Sequence, residues 1–273
     1  YVFIYGHWGA PRLGLEGAAW GTFLARICLV FFVVAVLYGR KTYRPYVWID
    51  LWKKLHRRTL RKILSIGIPT GLQMLFEVGL RVALLATLSA VTAISTQALA
   101  AHQIVGQMTG FTYTFVSGLA VAATIRVSYY LGKKELENLR LAAYSLVATV
   151  LSIMAVFGVG YIVLRAAIPR FFIDSAELVA IAAPLFIIAA AFQVFDGLQV
   201  VCQGALRGMC DVKVPTLITA IGYWVIALPL AVYLSVYLNM KTTGIWIGIA
   251  TGLVFCAIML TFRLGHQIKK LSI

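Results

Sequence analysis

Seven long apolar runs divide this chain, and they constrain its fold more than any other feature. Each run has about 20 or more largely apolar residues, which is the length that a helix needs to cross a bilayer. The strands of a membrane barrel are shorter, with about 10 residues that alternate between apolar and polar, so the runs indicate helices. Hydrophobic residues make up 62% of the chain and charged residues 12%, with a mean hydropathy of +0.92. The sequence therefore predicts an all-α integral membrane protein, a polytopic helix bundle. The predicted spans are 17–38, 63–88, 99–125, 139–164, 178–204, 215–238 and 244–264.

Lysine and arginine lie mainly in the connections on one side of these spans. Eighteen fall on that side and four on the other, and nine of the eighteen are in the connection 39–62. Because positive residues are retained in the cytoplasm, we expect this connection and the C-terminus to be cytoplasmic. The connection also carries aromatic residues, which is typical of a segment lying on anionic membrane lipids. The net charge of +15 is thus assigned to membrane topology, and no nucleic-acid partner is predicted.

Two acidic residues, Asp196 and Glu77, lie near the centres of apolar runs. An ionised carboxylate there costs about 3 kcal/mol on insertion scales, so each needs a functional or structural reason. A buried acid can exchange a proton or bind a metal cation, which makes both residues candidates for a cation-coupling site that takes Na⁺ or H⁺. Glu77 has a structural alternative, because Arg81 lies four residues further along the same helical face. Asp196 has no basic residue within four positions.

Aromatic and amide side chains surround these acids in the sequence. Acids among aromatic rings suit an amphiphilic organic cation, since a desolvated cation gains about 1–2 kcal/mol over a ring face. Amides in apolar spans either line a wet cavity or bond to neighbouring helices. The candidate cavity-lining residues are Phe192, Gln193, Gln199, Phe76, Gln73, Tyr113 and Arg81.

Membrane-embedded catalysis is the competing class of function, and its motifs are missing. The stretch FVSG at 115–118 lacks the first glycine of the Gly-x-Ser-Gly of a rhomboid-like protease. An aspartyl protease needs two aspartates that share a proton, and Asp196 is the only aspartate in mid-span. Four scattered cysteines form no CxxC pair, so no disulfide framework, zinc site or other cofactor is expected beyond the coupling ion.

Several short motifs, taken in order, resemble MATE (multidrug and toxic compound extrusion) transporters of the NorM-like branch. They are GIPTGLQMLFEV at 67–78, AAHQI at 100–104, ATIRV at 123–127, FQVFDGLQVV at 192–201, QGALRG at 203–208 and GIWIG at 244–248. The resemblance implies a twelve-helix fold, of which residues 1–38 are the end of the N-terminal lobe (an outer loop plus helix six). Residues 39–62 would be a cytoplasmic linker between lobes, and 63–273 the six-helix C-terminal lobe. The rest of the N-terminal lobe would be a missing partner.

The resemblance also implies a function. Glu77 and Asp196 match the family's C-lobe acids, which bind Na⁺ or H⁺ during export of cationic, amphiphilic drugs or metabolites across the bacterial inner membrane. Two positions depart from the family pattern: Phe192 replaces a frequent tyrosine, and Arg81 replaces an apolar residue. Two alternatives stay open. One is a lipid-linked saccharide flippase of the same superfamily, for which Arg81 and Arg26 are the span-internal cations, and the other is a membrane fragment that transports nothing.

Overall fold

The computed structural model describes residues 2–6, 9, 11–41, 57–91, 96–173 and 175–271. All elements within these residues are helical. The long helices are α2 (Gly14–Gly39), α3 (Arg57–Val91), α4 (Thr96–Lys133), α5 (Leu136–Leu164), α7 (Ala176–Gly208) and α10 (Lys241–Leu271). The short ones are α1 (Val2–Tyr5), α6 (Ala167–Phe172), α8 (Lys213–Ala220) and α9 (Leu228–Val232), with two π-helical stretches at Ile221–Ala227 and Tyr233–Tyr237.

The predicted fold class and the seven spans are confirmed. Within the described residues, seven helical stretches are long and apolar enough to cross a membrane. Most extend beyond the predicted apolar runs, because a helix continues through polar residues at its ends as long as its backbone hydrogen bonds are made. The predicted linker 39–62 lies mostly outside the described residues.

The chain forms two compact units, Tyr1–Arg61 and Lys62–Ile273. In the first unit, α1 and α2 are joined by a hydrogen bond from the Leu13 backbone N–H to the Phe3 carbonyl oxygen (3.0 Å). The apolar side chains of α2 are exposed, among them Phe31 at 70%. Such a largely apolar surface is typical of a helix that faces lipid or another helix in a membrane.

Helix α7 is the centre of the second unit and packs against α4, α5 and α10. It begins where the Ser175 hydroxyl accepts a hydrogen bond from the Leu178 backbone N–H (3.4 Å), and Glu177 complements the positive end of the helix dipole. It ends at Gly208, just before Cys210, whose φ of 59° is left-handed. Its middle is buried on nearly all sides, which places Asp196 inside the protein.

The sixth span departs from a regular α-helix. π-Helical turns precede and follow the short α-helix α9, which has Pro229 near its start. Proline lacks a backbone N–H donor, and wider turns of this kind accommodate such an interruption. The π-helical turn Ile221–Ala227 brings Tyr223 into the wall of the cavity described next.

Candidate functional site

A cavity of about 410 Å³ lies within the second unit, between α3, α4, α7, the first π-helical turn and α10. That volume is in the range of sites that hold drug-sized molecules. Its polar lining residues are Glu77, Arg81, His102, Gln103, Gln107, Thr109, Asp196 and Tyr223. Its apolar lining includes Val78, Leu80, Val82, Leu84, Gly106, Gly110, Phe192, Trp246, Ile249 and Leu253.

The two predicted acids come from different helices and line the same cavity. Glu77 projects from α3 and Asp196 from α7, and the two residues are only 9% and 7% exposed. Helix α3 is held in this position by polar contacts to α8. The Thr216 hydroxyl donates to the Pro69 carbonyl oxygen (2.9 Å), and the Gln73 amide donates to the Thr219 hydroxyl (3.3 Å).

Arg81 forms an ion pair with Glu77. One guanidinium nitrogen lies 3.6 Å from a Glu77 carboxylate oxygen, and the side chains are 55% and 11% exposed. The guanidinium carbon also lies 5.5 Å from the ring centre of Tyr113, in a cation–π contact. Asp196, by contrast, has no ion pair or hydrogen bond from its side chain to any of the residues that the structure describes. The two acids therefore differ in how their charge is compensated.

Aromatic rings form the side of the cavity next to Asp196. Phe192, one helical turn earlier, stacks on Trp246 with ring centres 5.8 Å apart and planes 16° apart. The imidazole of His102 packs on the same indole at 5.5 Å. Such flat faces beside a carboxylate can contact both the ring and the charge of an aromatic cation.

The structure places the predicted site residues in two groups. Glu77, Arg81, Phe192 and Asp196 line the cavity. The other five, Gln73, Phe76, Tyr113, Gln193 and Gln199, are not among its lining residues.

Hydrogen bonds between helices account for the position of the three amides in that second group. Gln193 donates from its amide nitrogen to the Thr112 hydroxyl, and Gln199 donates to the Tyr223 hydroxyl (2.5 Å). Gln73 is held by its contact with Thr219. A buried amide is stabilised by such partners, so these side chains point toward neighbouring helices.

Sequence reasoning missed most of the lining from α4 and α10. On α4, Gln103 and Gln107 are four residues apart and thus share one face, a signal that could have identified them. Trp246, Ile249 and Leu253 repeat at helical spacing on α10, but this spacing also fits ordinary packing residues.

The described residues contain no group of three or more His, Cys, Asp or Glu side chains able to hold a metal ion. A cation would therefore depend on the two carboxylates and on neutral oxygen atoms.

Comparison with known proteins gives three kinds of match. A family model described as MatE matches residues 69–233. A probable multidrug resistance protein NorM from Acinetobacter baylyi is 32% identical over 273 residues, which cover 100% of this chain and 60% of the relative. The protein of the same description from Bradyrhizobium diazoefficiens is 36% identical over 282 residues, with coverage of 99% and 58%.

Solved structures share the fold. A multidrug resistance MATE family transporter of the MOP superfamily, in an outward-facing conformation, superposes with a TM-score of 0.83 at 21% identity, covering 99% of this chain and 59% of that one. A MOP superfamily transporter from Pyrococcus furiosus, described as having a binding pocket of reverse polarity, superposes with a TM-score of 0.82 at 19% identity. The match covers 100% of this chain and 59% of that one. This chain thus spans about 60% of the length of the relatives that it matches.

Proposed function

The chain belongs to the MatE family, and from this premise we propose that it is the C-terminal part of a secondary active multidrug exporter. In this proposal the complete protein moves cationic, amphiphilic compounds out of the cell in exchange for Na⁺ or H⁺. Asp196 is the principal coupling carboxylate and Glu77 its partner.

One observation carries the proposal: two buried carboxylates from different helices line a drug-sized cavity that has an aromatic side. A mid-membrane carboxylate is costly when it is ionised and has no partner, so it binds whichever positive species is available. The aromatic side formed by Phe192 and Trp246 adds contact area for a flat organic molecule. Charge and shape together select amphiphilic cations without requiring one particular compound.

Coupling follows from competition for the same carboxylate. When the coupling ion neutralises Asp196, the organic cation loses its main electrostatic attraction and leaves. When the organic cation is bound, the ion is excluded. An exporter needs the ion-bound and drug-bound forms to favour opposite-facing conformations, which is a difference in binding free energy between two states of the protein.

The proposal includes a setting for the chain. The segment 63–273 is the C-terminal lobe, 39–62 is the cytoplasmic linker on anionic lipids, and 1–38 belongs to the N-terminal lobe, the remainder of which is its partner. The chain is a multi-pass membrane protein, and we place it in the bacterial inner membrane with its C-terminus in the cytoplasm.

The lining residues give little support to the flippase alternative. A lipid-linked saccharide carries phosphate, which binds to clusters of Arg and Lys. The described cavity has two carboxylates and one guanidinium, and that guanidinium is already paired with Glu77. The cavity therefore attracts cations more strongly than it attracts phosphates.

Efflux of ethidium tests the proposal, using the complete gene in a bacterial strain that lacks its own efflux pumps. We expect parent efflux to depend on Na⁺ (against choline at fixed pH) or on the proton gradient, and Asp196→Asn to abolish that dependence. Glu177→Gln is the matched control, because Glu177 is an exposed acid on the same helix. The control should behave like the parent, and membrane levels of all three proteins should be equal by immunoblot.

Two results would count against this function. Gradient-driven efflux that is undiminished in Asp196→Asn would remove Asp196 as the coupling residue. A well-expressed parent that exports no cation would favour the flippase or a fragment without transport activity.

A further inference from the structure

Arg81 places a fixed positive charge in the wall of a cavity proposed to bind cations. With the imidazole of His102 counted as neutral, the lining carries two carboxylates and one guanidinium, a net charge of −1. A guanidinium is a fixed positive group in proteins, so its charge is the same whichever ion is coupled.

The Arg81–Glu77 pair lies within one helix. The residues are four positions apart on α3, so the pair moves with that helix and does not depend on how α3 packs against its neighbours. The guanidinium carbon also lies 5.5 Å from the ring centre of Tyr113 of α4, in a cation–π contact. Glu77 therefore has a counter-ion within its own helix.

Asp196 has no ion pair or hydrogen bond from its side chain among the described residues, and the charge of Arg81 acts on it only from beyond ion-pair distance. Charge balance in the cavity then requires one positive charge, supplied by a proton, a metal cation or the cationic group of a bound compound. A second positive charge would have to compete with Arg81 for Glu77 or lie close to the guanidinium. Like charges at such short range repel strongly in a partly desolvated cavity.

We propose that Arg81 is a tethered counter-ion that restricts this cavity to compounds with a single positive charge. This inference rests on the proposed function, because it assumes that the cavity binds organic cations. Without Arg81 the cavity would carry a net charge of −2 and accept dications.

Two flat molecules of similar shape test this restriction. N-methyl-4-phenylpyridinium carries one positive charge and methyl viologen carries two, and neither charge depends on pH. Their affinities for the purified complete protein are measured by competition with ethidium fluorescence at fixed pH and ionic strength. The reported quantity is the ratio of the two dissociation constants, which cancels general losses of binding.

Four variants separate charge from structure. We expect Arg81→Gln to shift the ratio at least about tenfold toward the dication, and Arg81→Lys to keep the parent ratio. Glu77→Gln should weaken both ligands, and the dication more. The double variant Glu77→Gln/Arg81→Gln restores a net charge of −1, so its ratio should return to within about twofold of the parent value.

The outcomes distinguish this inference from the proposed function. If the parent binds both the monocation and ethidium but Arg81→Gln leaves the ratio unchanged, the counter-ion role is wrong and cation binding stands. If the double variant keeps the ratio of Arg81→Gln, Arg81 acts through packing on Tyr113 and the inference is again overturned. If the parent binds no organic cation, both the inference and the proposed function are wrong.

Discussion

Three acidic residues in the second unit differ in what compensates their charge. Asp211, in the connection between α7 and α8, accepts hydrogen bonds from the Arg263 guanidinium and from the Gln267 amide, each at 2.7 Å. Glu77 is paired at 3.6 Å. Asp196 is unpaired among the described residues. An acid that is bonded to side chains of its own protein contributes to stability. An acid without such a bond can bind an ion or a ligand and release it again.

Asp211→Ala should therefore lower stability without touching the cavity. The change leaves Arg263, whose side chain is 27% exposed, without its partner, and we expect a loss of about 1–3 kcal/mol. Glu135→Ala is the control. Its pair with Lys133 is 3.8 Å long and exposed on both sides, and such surface pairs contribute about 0–1 kcal/mol.

Thermal unfolding of the purified complete protein measures both changes. Equal melting temperatures for the two variants would show that the contacts of Asp211 with α10 do not stabilise the protein.

At the scale of helices, small residues set how closely the central helices approach. Gly204 of α7 lies against the backbone of α4, and a methyl group added there would overlap the Ala120 carbonyl oxygen. The Thr124 hydroxyl of α4 donates to the Gly204 carbonyl oxygen at 2.8 Å. Close backbone approach with polar contacts is how helices associate in a membrane, where no hydrophobic effect drives them together.

Gly204→Ala should push α4 and α7 apart. We expect a loss of about 1–3 kcal/mol, the usual cost of excess volume at a packed contact. Gly118→Ala on α4 is the matched control, since a methyl group added there meets nothing within 4 Å. The only expected effect of this change is that alanine favours the helix more than glycine does.

Melting temperatures in one detergent, together with ethidium binding, give the readout for this pair. If Gly204→Ala were as stable as Gly118→Ala, the close approach of α4 and α7 would not be needed for the fold.

At the scale of the whole molecule, the distribution of Lys and Arg predicts one orientation in the membrane. The α4–α5 connection should be cytoplasmic and the segment containing α6 external, because basic residues are retained on the cytoplasmic side. Both positions are exposed in the structure: Lys134 follows α4, and Phe171 in α6 is 87% exposed.

Labelling with a membrane-impermeant maleimide tests this orientation. In a complete protein whose native cysteines are all replaced by serine, Phe171→Cys should react in intact cells. Lys134→Cys should react only after the membrane is made permeable. The opposite pattern would invert the topology, and equal labelling of both in intact cells would rule out a span between them.

Much of the fold could be predicted because membrane insertion depends on local properties. The length of an apolar run decides whether a helix can span, so the predicted run 139–164 and helix α5, Leu136–Leu164, nearly coincide. The same local argument singled out Glu77 and Asp196 as costly acids, and left open whether Glu77 pairs with Arg81 or faces Asp196. The structure has the ion pair and also places both acids on one cavity. Their coupling role stays a prediction.

The sequence by itself therefore determined the membrane class, the seven helices and the position of the two acids within apolar spans, because each depends on hydropathy along a short stretch. Only the tertiary structure decided which faces meet. It turned Gln193 and Gln199 to hydrogen-bond partners on other helices, and it packed the Trp246 ring against both Phe192 and His102. These contacts join residues up to about 140 positions apart, and they are set by helix packing, which no local pattern specifies.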